Sequence, residues 1–133
     1  MKQTDLAALA DITELAFQRE QAKLQPILAE EGRIRRALAH LDEQVRRVRT
    51  DPESVALMRP CGADVAWQSW EGRTRRALNM QLAHVMAEKT ELLHRVRSAF
   101  GKTCVVDHLR SAMITENARR KAREFEHRVS SPG

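Results

Sequence analysis

The sequence has no tyrosine, three phenylalanines, two tryptophans, two cysteines, four prolines and five glycines in 133 residues. So few aromatics leave little to fill the thick core of a compact domain. Cys61 and Cys104 are too few for a disulfide scaffold and form no CxxC motif, so they read as free thiols that serve as small packing residues. No long apolar run occurs: MKQTDLAALADITE is acidic and fits neither a signal peptide nor a membrane span, which predicts a cytoplasmic protein. Sequence motifs for chemistry are missing as well. There is no GxSxG elbow, no GxxxxGK(S/T) loop and no GxGxxG turn, and His40, His84, His94, His108 and His127 form no HxxxH or HExxH pair. No catalytic, cofactor-binding or metal-binding residue is assigned, and the expectation is a non-enzymatic protein.

What remains is rich in Ala, Leu, Glu and Arg, the profile of a long helix or coiled coil. Phe17, Leu24, Ile27, Ile34, Leu38, Leu41, Val45 and Val48 fall on alternating three- and four-residue steps, with Glu20 and Glu31 as polar interruptions. Nearer the start, Leu6, Leu9, Ile12 and Ala16 suggest a shifted frame and a stutter. Pro26 sits inside this segment, where a proline costs about 3 kcal/mol. A kink near residues 22 to 26 is expected, with a break as the lesser alternative.

TDPESVALMRPCGAD, residues 50 to 64, gathers Pro52, Pro60 and Gly62 and ends the first helix near Thr50, with a turn or two of helix in ESVALM and Asp64 as the next N-cap. The second stripe runs through Trp67, Trp70, Thr74, Leu78, Leu82, Val85, Leu92, Val96 and Ala99, with Lys89 its one charged place. Past Phe100 the frame shifts to Val106, Leu109 and Met113, then Ala118, Ala122, Phe125 and Val129. Gly101 marks a possible bend.

These patterns predict an all-α protein, a long antiparallel two-helix coiled-coil hairpin whose second helix is the longer. It reads as a single domain with a helix over about 4–49, a loop over about 50–64, a helix over about 65–128 and a disordered tail at 129–133. With the turn near residue 57, facing positions sum to about 113, and the final 20 or so residues overhang with an uncovered apolar stripe. A second copy of the chain covering that C-terminal overhang is an open alternative to a lone hairpin.

The net charge of +5 is carried mostly by arginine, in RIRR at 33–36, RRVR at 46–49, RTRR at 73–76 and RRKAR at 119–123. With acids interleaved, these clusters are read as salt-bridged helix flanks facing an acidic protein in preference to a nucleic-acid footprint. Trp67 and Trp70, at i and i+3, share a helix face. Either the pair closes the end of the seam against Val45 and Val48, or Trp70 is offered to a partner as an aromatic anchor.

Three stretches carry a resemblance to a known family. TDLAALADITELAFQREQAKL, WQSW at the start of the second helix, and ENARRKAREFEHR near the end resemble the flagellar and type III secretion export proteins FliJ and YscO. The resemblance implies a non-enzymatic stalk of the bacterial flagellar export apparatus, linking the export ATPase ring to the cytoplasmic domain of the export gate and escorting export chaperones. Such a protein would sit at the inner face of the membrane through its partners, without inserting. It further implies a tip-half partner surface of Leu38, Leu41, Val45, Val48, Trp67, Trp70, Thr74 and Ala77, and a terminal-half surface of Arg119, Arg120, Arg123 and Phe125. The alternatives are a coiled-coil adaptor or assembly chaperone of another complex, and a basic helical nucleic-acid binder.

Overall fold

In the computed structural model, which describes residues 2–131, the chain is all helix: α1 (Gln3–Thr50), α2 (Pro52–Met58), a single 3-10 turn (Arg59–Cys61) and α3 (Ala63–Ser130). Packing divides it into two compact units, one from Lys23–Leu92 and the other from the described residues of Met1–Ala22 and Leu93–Gly133. α1 runs unbroken through Pro26. The carbonyl that a proline ring crowds lies four residues back, on Ala22, which is where one unit ends and the other begins.

The non-exposed positions of α1 include an unbroken run of three- and four-residue steps through Leu6, Ala10, Thr13, Phe17, Glu20, Leu24, Ile27, Glu31, Ile34, Leu38, Leu41, Val45 and Val48, flanked by half-buried neighbours such as Ala7, Leu9, Ala37 and Gln44. The expected stutter near the start is therefore absent. Ala10 and Thr13 keep the frame, while Ile12 stands 63% exposed. α3 does contain a stutter, two four-residue steps from Thr74 to Leu78 to Leu82, and then holds one frame through Val85, Lys89, Leu92, Val96, Ala99, Thr103 and Val106. The shift expected past Phe100 does not occur: Thr103 and Val106 are buried, and Leu109 is exposed.

In the unit built from Lys23–Leu92, the α1 and α3 segments pack antiparallel, as Asp42 meeting Arg75 and Glu31 meeting Lys89 require. The numbers 42 and 75 sum to 117. In the other unit Phe17 stacks against Phe100 at 5.6 Å between ring centroids, again summing to 117. The register thus lies about four beyond the expected 113, because the chain turns later than residue 57.

The turn explains the delay. Asp51 caps α2, its carboxylate accepting from the Glu53 backbone N–H at 3.1 Å and from the Ser54 hydroxyl at 2.7 Å, with Pro52 in the first turn. Gly62 then takes the left-handed conformation, φ 72°, donates its N–H to the Arg59 carbonyl and accepts from Ala66 N–H, so it closes the 3-10 turn and opens α3. Asp64 lies inside the first turn of α3 and is not its N-cap. There it faces the positive end of the helix dipole. Val129 and Ser130, expected in the tail, are the last residues of α3, and the rest of that expected tail includes Pro132 and Gly133, which lie outside the described residues.

Candidate interaction site

Near the turn, Trp67 is half-buried and lines a cleft of about 380 Å³ with Val45, Val48, Val55, Met58 and Gln68. Val45 and Val48 come from α1 and Val55 and Met58 from α2, so the short helix supplies a wall that two long helices alone lack. Trp70 is 42% exposed, its ring centroid 6.5 Å from that of Trp67 and tilted by 41°. One indole thus lines the cleft and the other flanks it toward solvent.

The remaining tip-half residues divide by exposure. Leu41 and Val45 are buried in the seam, Leu38, Val48 and Thr74 are half-buried, and Ala77 is exposed. A partner could reach Trp70 and Ala77 directly, whereas Leu41 and Val45 would require the two helices to part.

Many of the basic clusters' arginines near the tip are engaged within the unit. Arg75 donates to Asp42 at 2.7 Å and to Glu71 at 2.8 Å, which holds its guanidinium above its usual pKa, Asp42 being the first cause. Arg46 and Arg47 both reach Glu43, at 2.6 and 3.4 Å. Arg33 grips Glu30 at 2.6 Å and also reaches Gln81 on α3 at 3.3 Å. These are the salt-bridged flanks expected from the sequence.

One arrangement escaped the sequence reading. Glu31, one of two acids on the first stripe, and Lys89, the one charge on the second, face each other: Lys89 Nζ donates to Glu31 Oε2 at 3.0 Å and Oε1 at 3.3 Å. Arg35 adds bonds to Oε1 at 3.1 and 3.2 Å. The Lys89 hydrogen bond is the main reason the buried Glu31 carboxyl titrates below its usual range, against the opposing effect of desolvation. The signal was available, since opposite charges on facing seams of one antiparallel pair are drawn to each other.

In the other unit, every described residue from 118 onward is exposed, including Arg119, Arg120, Arg123 and Phe125. Arg123 pairs with Glu116 at 3.0 Å and Arg120 donates to Asn117 at 3.0 Å, both along α3 itself. Phe125 is 66% exposed. Both cysteines are exposed and free, so neither serves the packing role expected of it. Among the described residues no three His, Cys, Asp or Glu side chains converge on a metal-sized point, and no helix is long and apolar enough to cross a membrane.

No family model matches the chain, and neither a curated protein nor a solved structure matches it.

Proposed function

We propose that this chain is a non-enzymatic stalk and adaptor of a type III protein export apparatus, of the FliJ and YscO kind. It works by presenting helix faces to other proteins. One observation carries the reading: α3 remains helical to Ser130 while residues 118–131 are exposed on all sides, and that stretch still bears Phe125 and Val129. A helix with large apolar side chains in water and no neighbour over them is a surface that lacks its partner. In this reading the end bearing Arg119, Arg120, Arg123 and Phe125 meets the export ATPase, and the tip bearing Trp70 and Ala77 meets the export gate. Chaperone escort and placement at the inner face of the membrane follow from those contacts.

The test is co-purification of the tagged full chain with the export ATPase and, separately, with the cytoplasmic domain of the gate. Retention of the ATPase that is lost in Phe125→Glu, and retention of the gate domain that is lost in Trp70→Ala, support the reading. Retention of neither overturns it.

A further inference from the structure

Two exposed apolar stripes in the unit formed by residues 2–22 and 93–131 have the same spacing and opposite charge. On α3, Ala118, Ala122, Phe125 and Val129 lie at i, i+4, i+7 and i+11 and share one helix face. On α1, Ala8, Ile12 and Leu15 repeat the first three of those positions and are exposed, Ile12 at 63% and Leu15 at 66%, while the fourth is the charged Arg19. Neither stripe belongs to the buried seam, which on α1 runs through Leu6, Ala10, Thr13 and Phe17.

Charge separates the two. Residues 2–19 carry Lys2 and Arg19 against Asp5, Asp11 and Glu14, and residues 116–130 carry Arg119, Arg120, Lys121, Arg123 and Arg128 against Glu116, Glu124 and Glu126. Asp5 and Asp11 border the α1 stripe, while Lys121, Arg119 and Arg128 border the α3 stripe together with one acid, Glu126. One stripe is therefore apolar with acidic edges and the other apolar with mainly basic edges.

We infer that the chain forms a two-fold symmetric homodimer in which the 118–130 segment of each copy lies along the Ala8–Ile12–Leu15 face of the other. Two-fold symmetry makes the contact twice over, so a single arrangement covers all four stripes. Each contact is about 17 Å long at 1.5 Å per residue, and with helix faces roughly 10 Å wide the four faces remove on the order of 700 Å² from water. That is the size of a weak, transient interface, so the dimer should dissociate on dilution. A third protein with an acidic helix would cover only the α3 stripe and leave Ile12 and Leu15 bare. The dimer covers Phe125, the same side chain that the export reading gives to the ATPase, so the two occupants exclude each other on that face, and failure to bind an ATPase would leave the dimer intact.

The experiment is the solution mass of the full chain by light scattering or sedimentation across a dilution series. The expected result is twice 15.2 kDa at roughly 0.1 mM, falling toward 15.2 kDa on dilution. Phe125→Glu should give 15.2 kDa throughout with unchanged helicity by circular dichroism. Two charge-reversed chains, Asp5→Lys with Asp11→Lys and Arg119→Glu with Lys121→Glu, should each be monomeric alone and should pair when mixed, because each then offers what the other lacks. A wild-type mass of 15.2 kDa at every concentration overturns the inference. So does a dimer that is indifferent to these substitutions, or reversed chains that fail to pair.

Discussion

Lys89 Nζ stands 3.0 Å from Glu31 Oε2, joining the one charged position of the α3 seam to a buried acid on the α1 seam. If the helices slid by one turn Lys89 would lose its acid and Glu31 would keep only Arg35, so the pair favours this register over its neighbours. Removing one member leaves the other buried without its partner, while replacing both with apolar side chains of similar volume removes the desolvation cost altogether. Lys89→Met alone is therefore expected to melt earlier than the wild type, and Glu31→Leu combined with Lys89→Met to recover the loss. Thermal melts followed by circular dichroism decide it. If the double variant melts no higher than the single, the pair is not what limits stability here.

The same pair sets the acid limb of stability. Glu31 is held below its ordinary value of 4.5 by Lys89 first and then Arg35, and Glu30 and Glu43 are lowered first by their hydrogen bonds with Arg33 and Arg46. A carboxylate whose pKa is depressed in the folded state contributes fully above its unfolded pKa, and the contribution is lost as pH falls through the folded value. Melting temperature should therefore hold steady down to about pH 5 and decline below 4.5. The exposed pairs add little to that decline, and Asp51, lowered first by its hydrogen bond with Ser54, contributes over the same range, so Glu31→Gln should reduce the decline without abolishing it. A decline of undiminished size in Glu31→Gln would assign it to other groups.

Burial predicts a sharp contrast between two isoleucines. Ile34 is wholly buried, and Ile34→Ala is expected to cost about 2–5 kcal/mol; Ile12 is 63% exposed, and Ile12→Ala should lie within about 0.5 kcal/mol of the wild type. Urea denaturation at low protein concentration, where any dimer is dissociated, measures both. Comparable losses at the two positions would show that Ile12 is covered in the monomer.

Those two residues also show how far the sequence could be read. Around Ile34 the apolar residues coincide with the heptad positions, so the seam was plain. Around Ile12 they do not: the more hydrophobic Ile12 drew the reading away from Ala10 and Thr13, whose small side chains are what the frame places inside. Hydrophobicity marks a seam only where the seam is hydrophobic. The register erred for a different reason, since counting loop residues gave no weight to α2 and the 3-10 turn, which postpone the reversal to Gly62. The exposed stripe past residue 113 was legible, because no α1 residue is left to face it.

Two glycines should respond to alanine in opposite senses. At Gly62 the left-handed φ of 72° penalises any Cβ, so Gly62→Ala is expected to lose about 1–2 kcal/mol even though the space around it is open. Gly101 lies in the middle of α3 with nothing within 4 Å of an added Cβ, so Gly101→Ala should gain about 0.5–1 kcal/mol. Equilibrium melts of the two variants beside the wild type provide the measurement. A loss at Gly101 would mean that the helix needs a bend there.

The tryptophans allow packing to be separated from recognition. Trp67 lines the cleft with Val45, Val48, Val55 and Met58, so its truncation should cost about 1–3 kcal/mol, less than for a fully buried tryptophan. Trp70 is 42% exposed, and Trp70→Ala should change stability by less than about 1 kcal/mol. Each single variant leaves one indole as the sole tryptophan, so emission reports on each separately: Trp70 in Trp67→Ala should emit further to the red than Trp67 in Trp70→Ala. If Trp70 is the anchor, the gate's cytoplasmic domain should shift that red-side emission toward the blue, and Trp70→Ala should keep its melting temperature while losing that partner. If Trp70→Ala instead melts as early as Trp67→Ala and still binds, both indoles belong to the fold and the tip meets no one through them.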